Sequence, residues 1–273
     1  MRLSVSSLTC PDWTLRQLVN EVRRHGIGVI DLRTLEGRND VWNLPDLAPG
    51  ARSATRRQLA ELGVWVGGVS TSVRAGADPA SRASDPPPWA RELRAALELC
   101  RDLGGAYLRI FAGPRDASSL GADETSAIVS DYRAMCHAAE PFGVSILLET
   151  HDVVSSGRAV ADIVGEVQHP LAGVVWDVRH PRHHVGESYR DSAEAVATVL
   201  RLVHVKDFDP VSFDLLPFGT GDVDAGGLLQ VLDYIGYDGD IVLEQPRVAQ
   251  TGRPMPKRNI AGFATLFSQL RRG

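Results

Sequence analysis

The chain has 273 residues, 44% hydrophobic and 23% charged, with a formal net charge of −5 and a sequence pI near 5.9. That length suits one large core, and an acidic balance without a dense Lys/Arg cluster disfavours a nucleic-acid groove. Cys10, Cys100 and Cys136 are far apart and lack CxxC spacing, so neither a disulfide framework nor a thiolate zinc site is expected, and a reduced, cytoplasmic compartment is. The N-terminus lacks a signal pattern and no run of about 18 apolar residues could span a bilayer, so a soluble protein without a membrane partner is expected.

In chain order, a first strand is predicted over Arg2 to Leu8, then a turn at Cys10-Pro11-Asp12 and a helix from about Thr14 to His25, closed by Gly26. Gly28 to Arg33 reads as a second strand. The polar loop from Thr34 to Gly50 contains Trp42, and loops of this length after such strands are more often lids than linkers. A helix over Ala51 to Leu62 precedes a third strand at Val64 to Ser70. Its exit, Thr71 to Pro88, is rich in Ser, Ala, Asp and Pro and reads as a loop able to move.

Trp89 to Leu103 has apolar residues at helical spacing, which makes Cys100 a core residue, and Gly104-Gly105 stops the helix. Ala106 to Ala112 is the fourth strand. By alternation its Arg109 faces the same way as Tyr107 and Phe111, either in an internal salt bridge, with Asp31 one partner to consider, or as a substrate contact. A helix over Asp123 to Phe142 follows, on which His137 reads as a surface or packing histidine.

The most informative stretch is Ile146 to Asp152, ILLETHD: an apolar run that ends abruptly in Glu149, His151 and Asp152. Such a run suits a strand of a parallel sheet covered on both faces, and ligands bind at the carboxyl ends of those strands. Taken alone, Glu149 reads equally well as a salt-bridge partner. The design then recurs at AGVVWDVRH with Asp177 and His180, at LRLVHVKD with His204, Lys206 and Asp207, and at DIVLEQP with Glu244. The intervals of 28, 27 and 40 residues suit consecutive βα units. Glu149, Asp177, His204 and Glu244 are therefore expected to point into one barrel lumen at similar height.

Between these strands, Gly157 to Val167 and Glu187 to Leu200 read as helices and His180-Pro181-Arg182-His183-His184 as a loop. His180 is singled out for its place beside Asp177. A Gly-rich loop, LLPFGTGDVD, precedes a helix at Ala225 to Ile235, and by itself it does not establish phosphate binding. Ile260 to Leu270 is the last helix. Eight strand and helix pairs make an α/β chain, a (β/α)8 TIM barrel read as one domain over residues 1–273.

The segments LLET, WDVRH, HVKD, PFGTGDVD and VLEQP, in that order, resemble the xylose-isomerase-like barrel superfamily. Within it they resemble the sugar phosphate isomerase/epimerase group, with its ketose 3-epimerases, hydroxypyruvate isomerases and inosose dehydratases. The resemblance implies that Glu149, Asp177, His204 and Glu244 bind one divalent metal. Three hard oxygen donors and an imidazole suit Mn²⁺, with Mg²⁺ or Co²⁺ as substitutes. It also implies metal-assisted enolisation of a small polyhydroxy ketone through an enediolate, with Glu149 and Glu244 moving protons on opposite faces, and it makes His180 a substrate contact. Lys206 is where HVKD-type members keep a lysine. Either His180 or Lys206 could protonate a departing hydroxyl, although a salt bridge accounts for Lys206 as well.

The chain departs from several ketose 3-epimerases at Pro210, where they carry a substrate-binding arginine six residues past the metal histidine. HVKD leans instead towards the dehydratase and uncharacterised isomerase branches. A metal-dependent isomerase or epimerase is thus the first reading and a keto-polyol dehydratase the second. An endonuclease IV-type nuclease would need histidines where the third and fourth strands end, and the sequence there is VGGVSTS and LRIFAG. A non-catalytic barrel would be expected to have lost part of the quartet. The loops at 34–50 and 71–88 carry no readable specificity code, and the sequence leaves room for a homo-oligomer.

Overall fold

The structure, a computed structural model, describes residues 1–77, 86–114, 117, 119–246 and 252–270. Eight parallel strands follow one another in chain order: β1 (Arg2–Ser6), β2 (Val29–Leu32), β3 (Trp65–Ala75), β4 (Tyr107–Ala112), β5 (Ser145–Glu149), β6 (Ala172–Asp177), β7 (Leu200–Val205) and β8 (Asp240–Leu243). They form a closed barrel, in which β8 pairs with β1 in the register Leu3↔Ile241. The helices are α1 (Leu15–Arg24), α2 (Arg52–Glu61), α3 (Ala90–Leu103), α4 (Ala122–Ala139), α5 (Gly157–Val167), α6 (Arg179–Val185), α7 (Tyr189–Val196), α8 (Ala225–Tyr234) and α9 (Pro256–Leu270). Among the described residues no helix is long and apolar enough to cross a membrane.

The chain divides into two compact units, one of Met1–Gly67 with Leu202–Gly273 and one of Gly68–Arg201. In the first, Thr14 caps α1 by accepting the Gln17 N–H while the Gln17 side chain returns to the Thr14 N–H, a reciprocal box that fixes where the helix begins. The loop from Thr34 to Gly50 is anchored, with Leu35, Val41, Leu44 and Leu47 buried and two short 3-10 turns, Val41–Asn43 and Pro45–Leu47.

In the second unit, α4 packs on β5 and β6. The buried Tyr132 hydroxyl lies 2.7 Å from the Ile146 carbonyl and 2.8 Å from that of Gly173, and it accepts the Gly173 N–H at 3.0 Å. One helix side chain thereby ties together the two strands that end in Glu149 and Asp177. Burial pushes its phenol well above the ordinary value, so it acts as a neutral hydroxyl.

Three expectations are corrected. Thr71 to Ala75 belongs to β3 and not to its exit loop: alternate residues Thr71, Val73 and Ala75 are buried, and the ladder resumes with Arg74↔Phe111 after an irregularity beyond Ser70. Gly76, at φ +66°, ends the strand. Residues 78–85 of the presumed mobile loop lie outside the described residues. The histidine-rich segment is the short helix α6, since Pro181 sits in its first turn, where its missing N–H costs nothing. Finally, α9 starts at Pro256, four residues before the predicted start, again with proline in the first turn.

The ladder register positions the functional strand ends. Arg109 is paired with Leu147, Glu149 with Val175, and His204 with Val242. In each case the next charged residue, Glu149, Asp177 or Glu244, stands two residues beyond the paired one, hence on the same face and one pleat higher. Tilted barrel strands are staggered in this way, so a constant step in register brings side chains to a common level. Replacing Tyr132 by Phe withdraws the hydroxyl from β5 and β6 and is expected to lower stability by about 1–3 kcal/mol in urea unfolding. An unchanged unfolding midpoint would contradict the role given to this hydroxyl.

Candidate metal centre

Glu149, Asp177, His204 and Glu244 are all buried, and each offers one donor atom such that the four donors lie within 4.8 Å of one another. Three carboxylates at such spacing repel one another strongly away from water, so cations are needed beside them. Two are protein side chains. The Arg109 guanidinium Nε is 3.3 Å from Glu149 Oε2, and the Lys206 ammonium is 2.8 Å from Glu244 Oε2. Arg109 also donates to the Thr71 carbonyl at 2.8 Å and lies over the Phe111 ring, 4.0 Å from its centroid. Glu149 is thus one of its internal ion-pair partners.

His204 Nδ1 is 3.7 Å from Glu244 Oε2, and His180 Nε2, on α6, is 3.8 Å from Asp177 Oδ2. Asp177 Oδ1 accepts the Arg179 N–H at 3.0 Å, which fixes the carboxylate at the start of α6. The set of three carboxylates and an imidazole, without a thiolate, fits a divalent cation that takes oxygen and nitrogen ligands. Trp42 is half-buried on the 3-10 turn Val41–Asn43, and among the described residues no hydrogen bond or ring contact joins it to the four.

Residues that the sequence analysis noted without giving them a role surround His180. The His151 ring is 4.0 Å from the His180 ring and 4.7 Å from the Phe111 ring, which meets it edge-on. His151 Nδ1 is 2.7 Å from Asp152 Oδ1, and Arg74 Nη2 donates to Asp152 Oδ2 at 2.7 Å. Burial alone would push the Asp152 carboxyl up, but the His151 hydrogen bond and then Arg74 outweigh it and hold it well below the usual carboxylate range. His184 stacks at 5.5 Å on His180, and burial, followed by the Arg179 guanidinium, lowers its imidazole value. The run ETHD and the spacing of histidines on α6 were the available signals; the residues were visible, but their helical phase was not.

The Gly-rich loop after β7 holds a carboxylate of the chain itself. Asp207 Oδ2 accepts the N–H groups of Gly219 (2.7 Å), Thr220 (3.1 Å) and Gly221 (2.9 Å), and Oδ1 those of Phe208 (3.0 Å) and Val223 (3.1 Å). The amides that a phosphate would use are taken by Asp207. A second group of donors, His137, Glu140 and His169, lies near the surface. Glu140 Oε1 is 3.0 Å from His137 Nδ1 and 2.9 Å from His169 Nε2, while His169 Nδ1 accepts the Leu171 N–H at 3.1 Å. With Nδ1 accepting, the neutral His169 ring carries its proton on Nε2 and donates it to Glu140, so this trio is satisfied by hydrogen bonds.

The chain matches the family model described as the xylose isomerase-like TIM barrel over residues 19–265. An inosose isomerase of Bacillus licheniformis is 26% identical over 163 residues, which cover 56% of this chain and only 58% of that relative's length. Among solved structures, the D-allulose 3-epimerase from Methylomonas sp. superposes with a TM-score of 0.76 at 20% identity, covering 99% of this chain and 98% of the epimerase. The IOLI protein, solved with a bound zinc atom, gives a TM-score of 0.79 at 17% identity over 99% of this chain and 98% of its own. The closed barrel and the match over residues 19–265 place this chain in the xylose isomerase-like TIM barrel family.

Proposed function

We propose that the chain, working as one domain over residues 1–273, is a divalent-metal-dependent isomerase or epimerase of a small hydroxy-ketone. The observation that carries the reading is the buried quartet Glu149, Asp177, His204 and Glu244, with its four donor atoms within 4.8 Å of one another. Similarity to an inosose isomerase and to a D-allulose 3-epimerase supports the same reaction class. The four residues would hold one ion, Mn²⁺ by the hardness of its donors, with Mg²⁺ or Co²⁺ as substitutes. Bound there, the ion would act as a Lewis acid that polarises the substrate carbonyl and acidifies the neighbouring C–H.

The chain's own residues supply the rest. Glu149 and Glu244 each stand against a fixed cation, Arg109 at 3.3 Å and Lys206 at 2.8 Å, which holds each carboxyl group in place. In this reading the one that is ionised removes a proton from the substrate carbon, and the other, which enters the turnover as the carboxylic acid, returns one. His180, held beside Asp177 and against His151, contacts substrate oxygens. Trp42 and the loop at 34–50 exclude water.

A second reading, dehydration of a keto-polyol, is favoured by Lys206: an ammonium 2.8 Å from Glu244 is placed to protonate a departing hydroxyl after the proton is removed. Incubation with candidate ketoses and inososes plus Mn²⁺ in D₂O separates the two by NMR. Deuterium entering beside the carbonyl with the formula retained marks isomerisation or epimerisation, and loss of water marks the lyase. Neither exchange nor loss of water with any member of the panel would contradict both.

Substitutions separate ligation from proton transfer. Glu149→Gln and Glu244→Gln keep an oxygen donor but lose the base, and each is expected to lower turnover about 10²–10⁴-fold while some metal is retained. Asp177→Asn should instead weaken metal binding and recover part of its activity at high Mn²⁺. Full deuterium wash-in by both Gln variants would move the proton carrier to His180 or Lys206.

A further inference from the structure

Backbone pairing between β7 and β8 runs out just where the functional residues begin. The last paired residues are Val205 and Leu243, followed by one ladder bond from Glu244 N–H to the Val205 carbonyl at 3.0 Å. Lys206 and Glu244 are thus the first residues past the ladder, yet they stand 2.8 Å apart. With both side chains buried, there is little room for their torsions to make up for a displaced backbone, so the separation depends on how the two strand ends are held.

The fully buried side chain of Gln245 supplies that constraint. Its Oε1 accepts the Asp207 N–H at 2.8 Å and its Nε2 donates to the Asp207 carbonyl at 3.0 Å, so the primary amide pairs with both groups of Asp207 as another strand residue would. The second Nε2 hydrogen goes to the Leu216 carbonyl at 2.7 Å, which brings in the loop after β7. On its other side, the Gln245 N–H donates to Thr9 Oγ1 at 3.1 Å, and that hydroxyl donates to the Leu243 carbonyl at 3.1 Å. The Asp207 carboxylate in turn gathers the Gly-rich loop, and Gly221 approaches so closely that an added Cβ would lie 2.3 Å from Asp207 Oδ1.

We infer that Gln245 is a positioning residue: its side-chain amide forms one extra rung of the β7–β8 ladder and thereby sets the Lys206–Glu244 separation and the place of Glu244 among the four donors. The inference rests on the proposed metal-dependent function. Neither Gln245 nor Asp207 needs to touch substrate. Gln245→Leu removes every side-chain hydrogen bond of the rung. Gln245→Glu keeps the shape but sets a carboxylate oxygen, without a hydrogen to give, against the carbonyls of Asp207 and Leu216.

The test measures Mn²⁺ affinity, the Mn²⁺ electron paramagnetic resonance spectrum and steady-state kinetics of the full chain, for both variants and for Leu232→Ala, a buried α8 substitution that controls for lost stability. The rung predicts that both Gln245 variants bind Mn²⁺ about 10–100-fold more weakly with an altered spectrum. It also predicts that kcat falls about 10²-fold while KM moves far less. Leu232→Ala should bind Mn²⁺ as the parent protein does. Folded Gln245 variants with parental affinity, spectrum and kcat would overturn the inference. If the parent protein itself fails to bind Mn²⁺, the metal reading falls, and amide hydrogen exchange at 206–208 and 244–245 decides on the rung: faster exchange in Gln245→Leu upholds it and unchanged exchange overturns it.

Discussion

Mutual repulsion among Glu149, Asp177 and Glu244 is the constraint around which the rest of the site is arranged. Two carboxylates about 4 Å apart repel by roughly 4 kcal/mol at the effective dielectric of a protein site, and here three are buried with donor atoms within 4.8 Å of one another. The chain answers with cations at fixed positions. Arg109 reaches Glu149 from the adjacent strand and Lys206 reaches Glu244. Removing either cation would leave a buried charge without compensation, a change that typically costs about 3–5 kcal/mol. In the proposed function a divalent ion completes this balance, and its charge is then available to the substrate.

Strand register is what brings those charges together. A two-residue step recurs from Arg109↔Leu147 to Glu149, from Glu149↔Val175 to Asp177, and from His204↔Val242 to Glu244. Because side chains alternate along a strand, a step of one residue would turn a carboxylate away from its neighbours; a step of two lifts it one pleat and keeps the face. Tyr132 behind β5 and β6, and Gln245 between the ends of β7 and β8, act on this same register from outside and from above the ladder.

The strand ends were legible in the sequence because buried parallel strands are apolar throughout, so LLE, VVWD, LVHV and IVLE announce their first polar residue. All four members of the quartet could be read this way. The continuation of β3 was not, since Thr71, Ser72 and Arg74 are polar and only the alternation of burial along them reveals a strand. Helix α6 was hidden by Pro181, which reads as a breaker although it falls in the permissive first turn. Arg109 could be assigned to a face but not to Glu149: alternation gives the side, and only the register with Leu147 brings Glu149 within reach. The Gly-rich loop carried an opposite lesson, since its amides turn inward onto Asp207, a residue twelve positions before Gly219 that nothing local to the loop identifies.

The proposed function rests on one chemical claim, that the buried quartet would gather hard donors around a divalent ion with two glutamates beside it to move protons. Anomalous diffraction at the manganese edge, from crystals of protein kept free of chelator and supplied with Mn²⁺, tests it most directly. The account predicts one strong peak among Glu149, Asp177, His204 and Glu244 that disappears in Asp177→Asn crystals grown at low Mn²⁺. No peak there, or a peak only at the surface trio of His137, Glu140 and His169, would contradict it.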